Sequence, residues 1–119
     1  MFSLDQLVSF FDDTRRMKTE GRARFDIDQE CRWSYFMVDV DREKLIRAGR
    51  FLENRGFGLV GFLEPDAEDK KKIIYLRLDR LEKHTPLSLY ARNAELYKVA
   101  RDHELEDYDG MDVGAVDGP

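Results

Sequence analysis

The side chains best suited to chemistry in this sequence are two histidines and one cysteine. His84 precedes a predicted helix, and His103 lies in the last turn of that helix, where positive charge is favoured. A zinc site needs further ligands, and neither CxxC nor HExxH spacing occurs. Cys31 has no neighbouring base in the sequence that would activate its thiol. We therefore interpret the histidines as a loop residue and a helix-end residue, and we expect no metal or cofactor.

Pairs of acidic residues are the other candidates for acid–base or metal chemistry. These pairs are Asp12–Asp13, Glu106–Asp107 and Asp109–Asp112. Such pairs arise easily in a chain with 25 acidic residues, and the spacing of a calcium-binding EF-hand is absent. The sequence also lacks the phosphate-binding Walker A and GxGxxG patterns. Solvated carboxylates are the favoured interpretation, so we predict that the protein is not an enzyme; a small enzyme using an acid pair is an alternative.

Length and composition predict one soluble domain. The chain has 119 residues, of which 42% are hydrophobic, and no apolar run approaches the roughly 20 residues that span a bilayer. The N-terminus lacks the basic character of a signal peptide. A single cysteine rules out an intramolecular disulfide and fits a reducing compartment. We therefore expect a cytoplasmic protein.

The net charge of −5 is unevenly distributed along the chain. Residues 102–119 contain no Lys or Arg and seven acids: Asp102, Glu104, Glu106, Asp107, Asp109, Asp112 and Asp117. Residues 1–101 therefore hold all 20 basic residues and the other 18 of the 25 acids. The acidic segment is interpreted either as a solvated surface or as a surface that meets a basic partner.

The first predicted element is a helix within residues 1–22. Ser3 and Gln6 have the spacing of a capping box, and the helix should end before Gly21. Its predicted apolar stripe consists of Leu4, Leu7, Val8 and Phe11. Residues 23–30 alternate weakly, which predicts an edge strand or an extended lead-in.

Residues 33–116 predict a ferredoxin-like core. The expected elements are a central strand over 33–40, a helix from Asp41 to about Arg55, a hairpin of strands 57–63 and 71–81, a helix from Thr85 to about His103, and a last strand. This βαββαβ order is typical of an α+β sandwich with an antiparallel sheet and two helices on one face. The extra N-terminal helix should cover the open face or an edge of the sheet. The whole chain, 1–119, is predicted to be one domain.

The last strand has an unusual composition for a strand. It reads Tyr108-Asp109-Gly110-Met111-Asp112-Val113-Gly114, although Gly and Asp are both depleted in strands. In a structural interpretation, Gly110 permits a bulge or a close approach, Asp109 accepts bonds from nearby backbone amides, and Tyr108 buries its ring with its hydroxyl bonded. In a functional interpretation, an exposed Tyr108 and the acids around it bind a partner protein.

At Tyr108-Asp109-Gly110-Met111 the chain resembles the RraB family, regulators of ribonuclease E activity. The helix that ends at Gly56-Phe57 and the helix over 87–105 agree with this resemblance, which covers residues 33–116. Met111 stands where the family commonly has Trp, and the long acidic C-terminal tail of some members is missing. The resemblance implies a non-catalytic protein that binds ribonuclease E and modulates its activity.

The residues expected to contact that partner come from two sources. The motif supplies Tyr108, Asp109 and Gly110, and the acidic segment around it adds Glu106, Asp107 and Asp112.

RNA binding by the sheet face is the alternative function. Tyr75 with Arg77, and Trp33 with Tyr35, could stack bases on such a face. The aromatic signature of RNA-binding domains is absent. With a pI of about 5.1 the protein carries a net negative charge at neutral pH, which repels phosphate. Protein binding is therefore the preferred prediction.

Overall fold

Over residues 1–117, which the computed structural model describes, the protein has an α+β fold of three helices and one four-stranded sheet. The elements in chain order are α1 (Leu4–Thr19), β1 (Cys31–Asp39), α2 (Arg42–Glu53), β2 (Gly58–Leu63), β3 (Ile74–Glu82), α3 (Pro86–Asp102) and β4 (Asp107–Gly114). The strand order is β2-β3-β1-β4, and each neighbouring pair is antiparallel. The alternation of strand and helix along the chain thus gives the sequence of elements that was predicted after the first helix.

β1 is one of the two inner strands of the sheet, in agreement with the central position that its bulky residues on both faces predicted. It pairs with β3 on one side and with β4 on the other. Trp33, Tyr35 and Met37 are fully buried beneath the helices, and Leu76 and Leu78 lie opposite Met37 and Tyr35 on β3. The hydrophobic core therefore lies between this face of the sheet and the helices.

Local capping residues fix where the helices begin. Ser3 and Gln6 form the predicted capping box of α1, Asp41 caps α2, and Thr85 caps α3 with proline following it. Gly56, at φ +95°, supplies the left-handed turn after α2. These predictions are confirmed.

α1 shares the helical face with α2 and α3. The Phe11 ring stacks on Trp33 with centroids 6.1 Å apart, and Phe10 contacts the same indole. The buried residues of α1 are Leu7, Phe11 and Thr14, whereas Leu4 and Val8 are exposed. The predicted apolar stripe was wrong at Leu4 and Val8. The packing of Phe10 and Phe11 on Trp33 decides which side of α1 is buried, and Leu4 and Val8 lie outside that side. α1 consequently leaves the opposite face of the sheet uncovered, and its first turn lies at the β4 edge, where Phe2 approaches Gly110.

Two further observations complete the fold. Residues 23–30 form turns and bends, so the edge strand predicted there is wrong. Arg22 and Ala23 both donate backbone bonds to the carbonyl of Met17, so the chain turns tightly after α1 before it enters β1. None of the helices within residues 1–117 has the length and hydropathy needed to cross a membrane.

Candidate functional site

Four exposed carboxylates line one border of the sheet, at and just before β4. They belong to Glu106, Asp107, Asp109 and Asp112, and we call them the acidic edge. β4 is the last strand in the sheet order, so one of its long sides has no neighbouring strand. Its pairing with β1 fixes the spacing of these acids.

Two of these aspartates cap the backbone of β4 itself. Asp107 Oδ1 accepts from the amide of Tyr108 at 2.8 Å, and Asp112 Oδ1 accepts from the amide of Val113 at 2.9 Å. Edge strands carry amides without a strand partner, and charged side chains are a common way to protect them. This explains the presence of Asp107 and Asp112 in a strand, whereas the sequence had assigned such bonds to Asp109.

Gly110 forms the β-bulge that the sequence predicted. Phe36 pairs with Gly110 and Met37 pairs with Tyr108, which leaves Asp109 as the extra residue. Gly110 has φ +112°, and a Cβ built there would lie 3.1 Å from the ring of Phe2. Both the unusual backbone and the close approach are therefore confirmed.

Tyr108 lies in the core, with 0% of its side chain exposed. Its hydroxyl donates to Asn93 Oδ1 at 2.7 Å, and Tyr97 meets its ring edge-on at 5.1 Å. Burial raises the pKa of the Tyr108 hydroxyl well above its ordinary value, and the neighbouring Tyr97 adds to this. The interpretation of Tyr108 as a buried, bonded residue is confirmed, and the expectation of an exposed Tyr108 is wrong because its position opposite Met37 turns the ring towards the helices.

Asn93 connects two residues of the Tyr-Asp-Gly-Met segment. Besides accepting from Tyr108, its Nδ2 donates to the sulfur of Met111 at 3.7 Å. Asn93 is fully buried on α3, and sequence reasoning missed it. Asn93 lies four residues after Leu89 and three before Leu96, which both face inward, and this helical spacing could have indicated that Asn93 is buried too.

Removing the hydroxyl of Tyr108 should destabilise the fold without changing its shape. In Tyr108→Phe the buried Oδ1 of Asn93 loses its hydrogen-bond donor, and we expect the free energy of unfolding to fall by about 1–3 kcal/mol. Urea unfolding followed by Trp33 fluorescence measures this. Tyr90→Phe, at a partly exposed position of α3, is the control and should be close to neutral. Equal effects of the two substitutions would contradict the importance of the buried bond.

A second polar group, which the sequence did not reveal, lies beneath α3. We call it the Glu82 cluster: Tyr35, Glu82, His84, Ser88 and Arg92. Glu82 Oε2 accepts from the Tyr35 hydroxyl at 2.7 Å and lies 2.9 Å from His84 Nε2, while Arg92 binds the same carboxylate. The Glu82 side chain is 9% exposed. His84 lies in the loop between β3 and α3, as predicted, but it is also buried in the core, where it packs edge-on against Trp33.

The Glu82 carboxylate is held in its charged form. Burial alone would raise its pKa, but hydrogen bonds from His84, Arg92 and Tyr35 outweigh burial and lower the pKa to about 2. The pKa of Tyr35 is raised by burial and by its bond to Glu82. These partners stabilise the charged form of Glu82. Because Tyr35 lies on β1, Glu82 on β3 and Arg92 on α3, the same bonds connect the three elements.

The arrangement of Ser88, His84 and Glu82 has the order of a nucleophile, a base and an orienting acid. Ser88 Oγ lies 2.9 Å from His84 Nδ1. The same oxygen also accepts from the amide of Thr85 at 2.8 Å, as part of the α3 capping box. Ser88 therefore serves as a cap, and we interpret the cluster as an anchor for the start of α3.

The other candidate groups occupy ordinary structural positions. Asp12 and Asp13 form exposed ion pairs with Arg15 and Arg16. His103 caps α3, with its Nδ1 2.9 Å from the carbonyl of Val99. Within residues 1–117, no three His, Cys, Asp or Glu side chains are grouped so as to hold a metal ion.

Most of the aromatic residues predicted to stack RNA bases do not lie on the exposed face of the sheet. Trp33 and Tyr35 are fully buried beneath the helices, so this part of the prediction is wrong. Tyr75 is half-buried on the opposite face, and the neighbouring Arg77 donates two bonds of 2.9 Å to Asp79. The cation beside Tyr75 is therefore already paired.

The fold and site define a small α+β protein whose distinctive surface is a row of carboxylates on an edge strand. Residues 14–113 match the family described as regulator of ribonuclease activity B, RraB. This match covers most of the chain, including the Tyr-Asp-Gly segment, and the protein belongs to the RraB family. No individually curated protein matches the sequence.

Proposed function

We propose that this protein is a non-catalytic regulator that binds an RNA-processing nuclease of the ribonuclease E type and modulates its activity. The acidic edge is the observation that carries this proposal. Its four carboxylates are exposed at and just before β4, which lies within the region shared with a family of ribonuclease regulators. An enzyme that binds RNA presents basic surfaces, and these attract an acidic surface.

The six residues expected at the interface have two different roles in this proposal. Glu106, Asp107, Asp109 and Asp112 would face the partner because they are exposed. Tyr108 and Gly110 are buried, so they would position the strand from beneath rather than touch the partner.

The fold supports the family role as a binding scaffold. We assign the strand order β2-β3-β1-β4, with α2 and α3 on one face, to the ferredoxin-like sandwich, with α1 added before it. We treat 1–119 as one RraB-like domain, with 1–22 as the helical extension and 33–116 as the core. A cytoplasmic location fits the buried free thiol of Cys31.

Charge reversal on the acidic edge tests the proposal. Glu106→Lys combined with Asp109→Lys leaves the capping aspartates Asp107 and Asp112 in place, and we expect it to weaken binding to ribonuclease E about tenfold at low salt. Binding of the unaltered protein should weaken as salt rises. Titration calorimetry in two salt concentrations measures both effects.

Glu53→Lys combined with Glu68→Lys is the matched control, since both are exposed acids outside the acidic edge and the net charge changes by the same amount. It should bind like the unaltered protein. Failure of the unaltered protein to bind ribonuclease E even at low salt would overturn the proposed function, and equal loss in both variants would overturn the assignment to the acidic edge.

A further inference from the structure

We propose that β2 pairs with β2 of a second copy of this chain, in antiparallel fashion, to give a dimer with a continuous eight-stranded sheet. This inference goes beyond the regulatory role and does not depend on the acidic edge. It rests on the difference between the two borders of the sheet.

The two edge strands are protected to very different extents. β4 carries charged residues, and its aspartates cap two of its own amides. β2 reads Gly-Leu-Val-Gly-Phe-Leu and contains neither a charge nor a proline. Edge strands that stay unpaired usually carry such protection, because their free amides and carbonyls otherwise recruit another strand. The β2 edge therefore has the character of a pairing surface.

The side chains around this edge add an apolar surface. Val60 is 54% exposed and Leu63 is 69% exposed. They border a groove of about 340 Å³ on the uncovered face of the sheet, which is also lined by Phe36, Tyr75 and Arg77. A strand added beside β2 would place its own apolar side chains next to this groove and remove them from water.

The geometry of β2 limits the register of pairing. A bulge at Val60 breaks the ladder with β3, and Gly61–Leu63 forms the regular part of the strand. A bulge is one of the devices that protect an edge, so it confines the proposed pairing to the regular part of β2 that follows it. A two-fold axis near Gly61 or Phe62 would use this regular part in both copies.

Charge around β2 favours a second copy as the occupant. Arg55 precedes the strand and Asp66 follows it. The neighbouring Arg80 and Glu64 are already paired within the chain, with Glu82 and Arg42 respectively. In an antiparallel pair the start of each strand meets the end of the other, so basic and acidic residues face each other twice. Self-pairing through β4 would instead oppose its carboxylates, which is unfavourable.

The test is the mass of the full chain in solution. Sedimentation equilibrium from 5 to about 500 µM should give twice the 14.0 kDa chain mass at the higher concentrations. Val60→Lys and Leu63→Lys should each weaken self-association at least tenfold. Leu87→Lys is the control, because Leu87 on α3 is 67% exposed, as much as Leu63, yet lies outside β2. Trp33 fluorescence confirms that each variant is folded.

Hydrogen exchange locates the contact. If β2 pairs with itself, the amides of Gly58–Leu63 gain protection as the concentration rises, and the amides of β4 do not. A monomer at every concentration would overturn the proposal. So would a dimer that the β2 substitutions leave intact, or protection of β2 that arises only when ribonuclease E is added.

Discussion

Replacing Glu82 with Leu should lower the free energy of unfolding by about 3 kcal/mol, because the largely buried Arg92, Tyr35 and His84 all lose the charged carboxylate between them. The carboxylate accepts from Tyr35 and lies against His84 and Arg92, which are all largely buried. Leucine keeps most of the volume, so the loss reports on charge and hydrogen bonding. Urea unfolding followed by the fluorescence of Trp33, the only tryptophan, is the measurement.

Glu95 supplies a matched control within the same network. It binds the other side of the Arg92 guanidinium at 2.7 Å, but its side chain is 43% exposed. Glu95→Leu should therefore cost less than about 1 kcal/mol, as exposed ion pairs usually do. If the two substitutions had equal effects, burial would not be the reason that Glu82 matters.

The same carboxylate makes stability depend on pH in acid. Since the pKa of Glu82 falls from 4.5 in the unfolded chain to about 2 in the folded protein, its contribution is fully present above pH 4.5 and is lost as the pH falls towards 2. This contribution amounts to about 3 kcal/mol. Glu82→Leu should lack this part of the pH dependence, whereas Glu95→Leu should retain it.

Helix boundaries could be predicted from the sequence because each is fixed by a few adjacent residues. Ser3, Asp41 and Thr85 cap their helices through bonds to amides two or three positions later. Gly56 ends the turn after α2 through its own backbone angle. None of these signals depends on a distant part of the chain.

The Glu82 cluster could not be predicted because it depends on pairing between distant residues. Tyr35 and Glu82 are 47 positions apart, and their side chains meet because the antiparallel pairing of β1 and β3 places both on the same face of the sheet. The sequence treated His84 as a loop residue since it comes just before a helix cap. Its burial follows from the packing of α3 and Trp33 above the end of β3.

The sequence could not decide whether the Tyr108 side chain is buried or exposed, again because the answer depends on a distant part of the chain. Side chains alternate between the faces of a strand, so one extra residue reverses which of them point to the core. The bulge at Asp109 and Gly110 inserts such a residue, and it places both Tyr108 and Met111 opposite core residues of β1. The glycine predicted a bulge, but the pairing partner that decides the face lies on another strand.

Gly110→Ala should destabilise the protein by about 2–3 kcal/mol. At φ +112° an alanine is strained, which alone costs roughly 1–3 kcal/mol. Its methyl group would also lie 3.1 Å from two carbons of the Phe2 ring, so the ring must shift from its contact with β4. Thermal and urea unfolding measure the loss, and a neutral or stabilising result would contradict this account of the bulge.

Two further variants separate the backbone strain from the contact with Phe2. Gly21→Ala has φ +77° with no atom within 4 Å of the new methyl group, so it should cost only about 1 kcal/mol, from backbone strain. In a double-mutant cycle, Gly110→Ala should cost less in a Phe2→Ala background than in the unaltered protein, because the ring is no longer there to be displaced. An unchanged cost in that background would assign the whole effect to the backbone, and Phe2 would then have no part in requiring glycine at position 110.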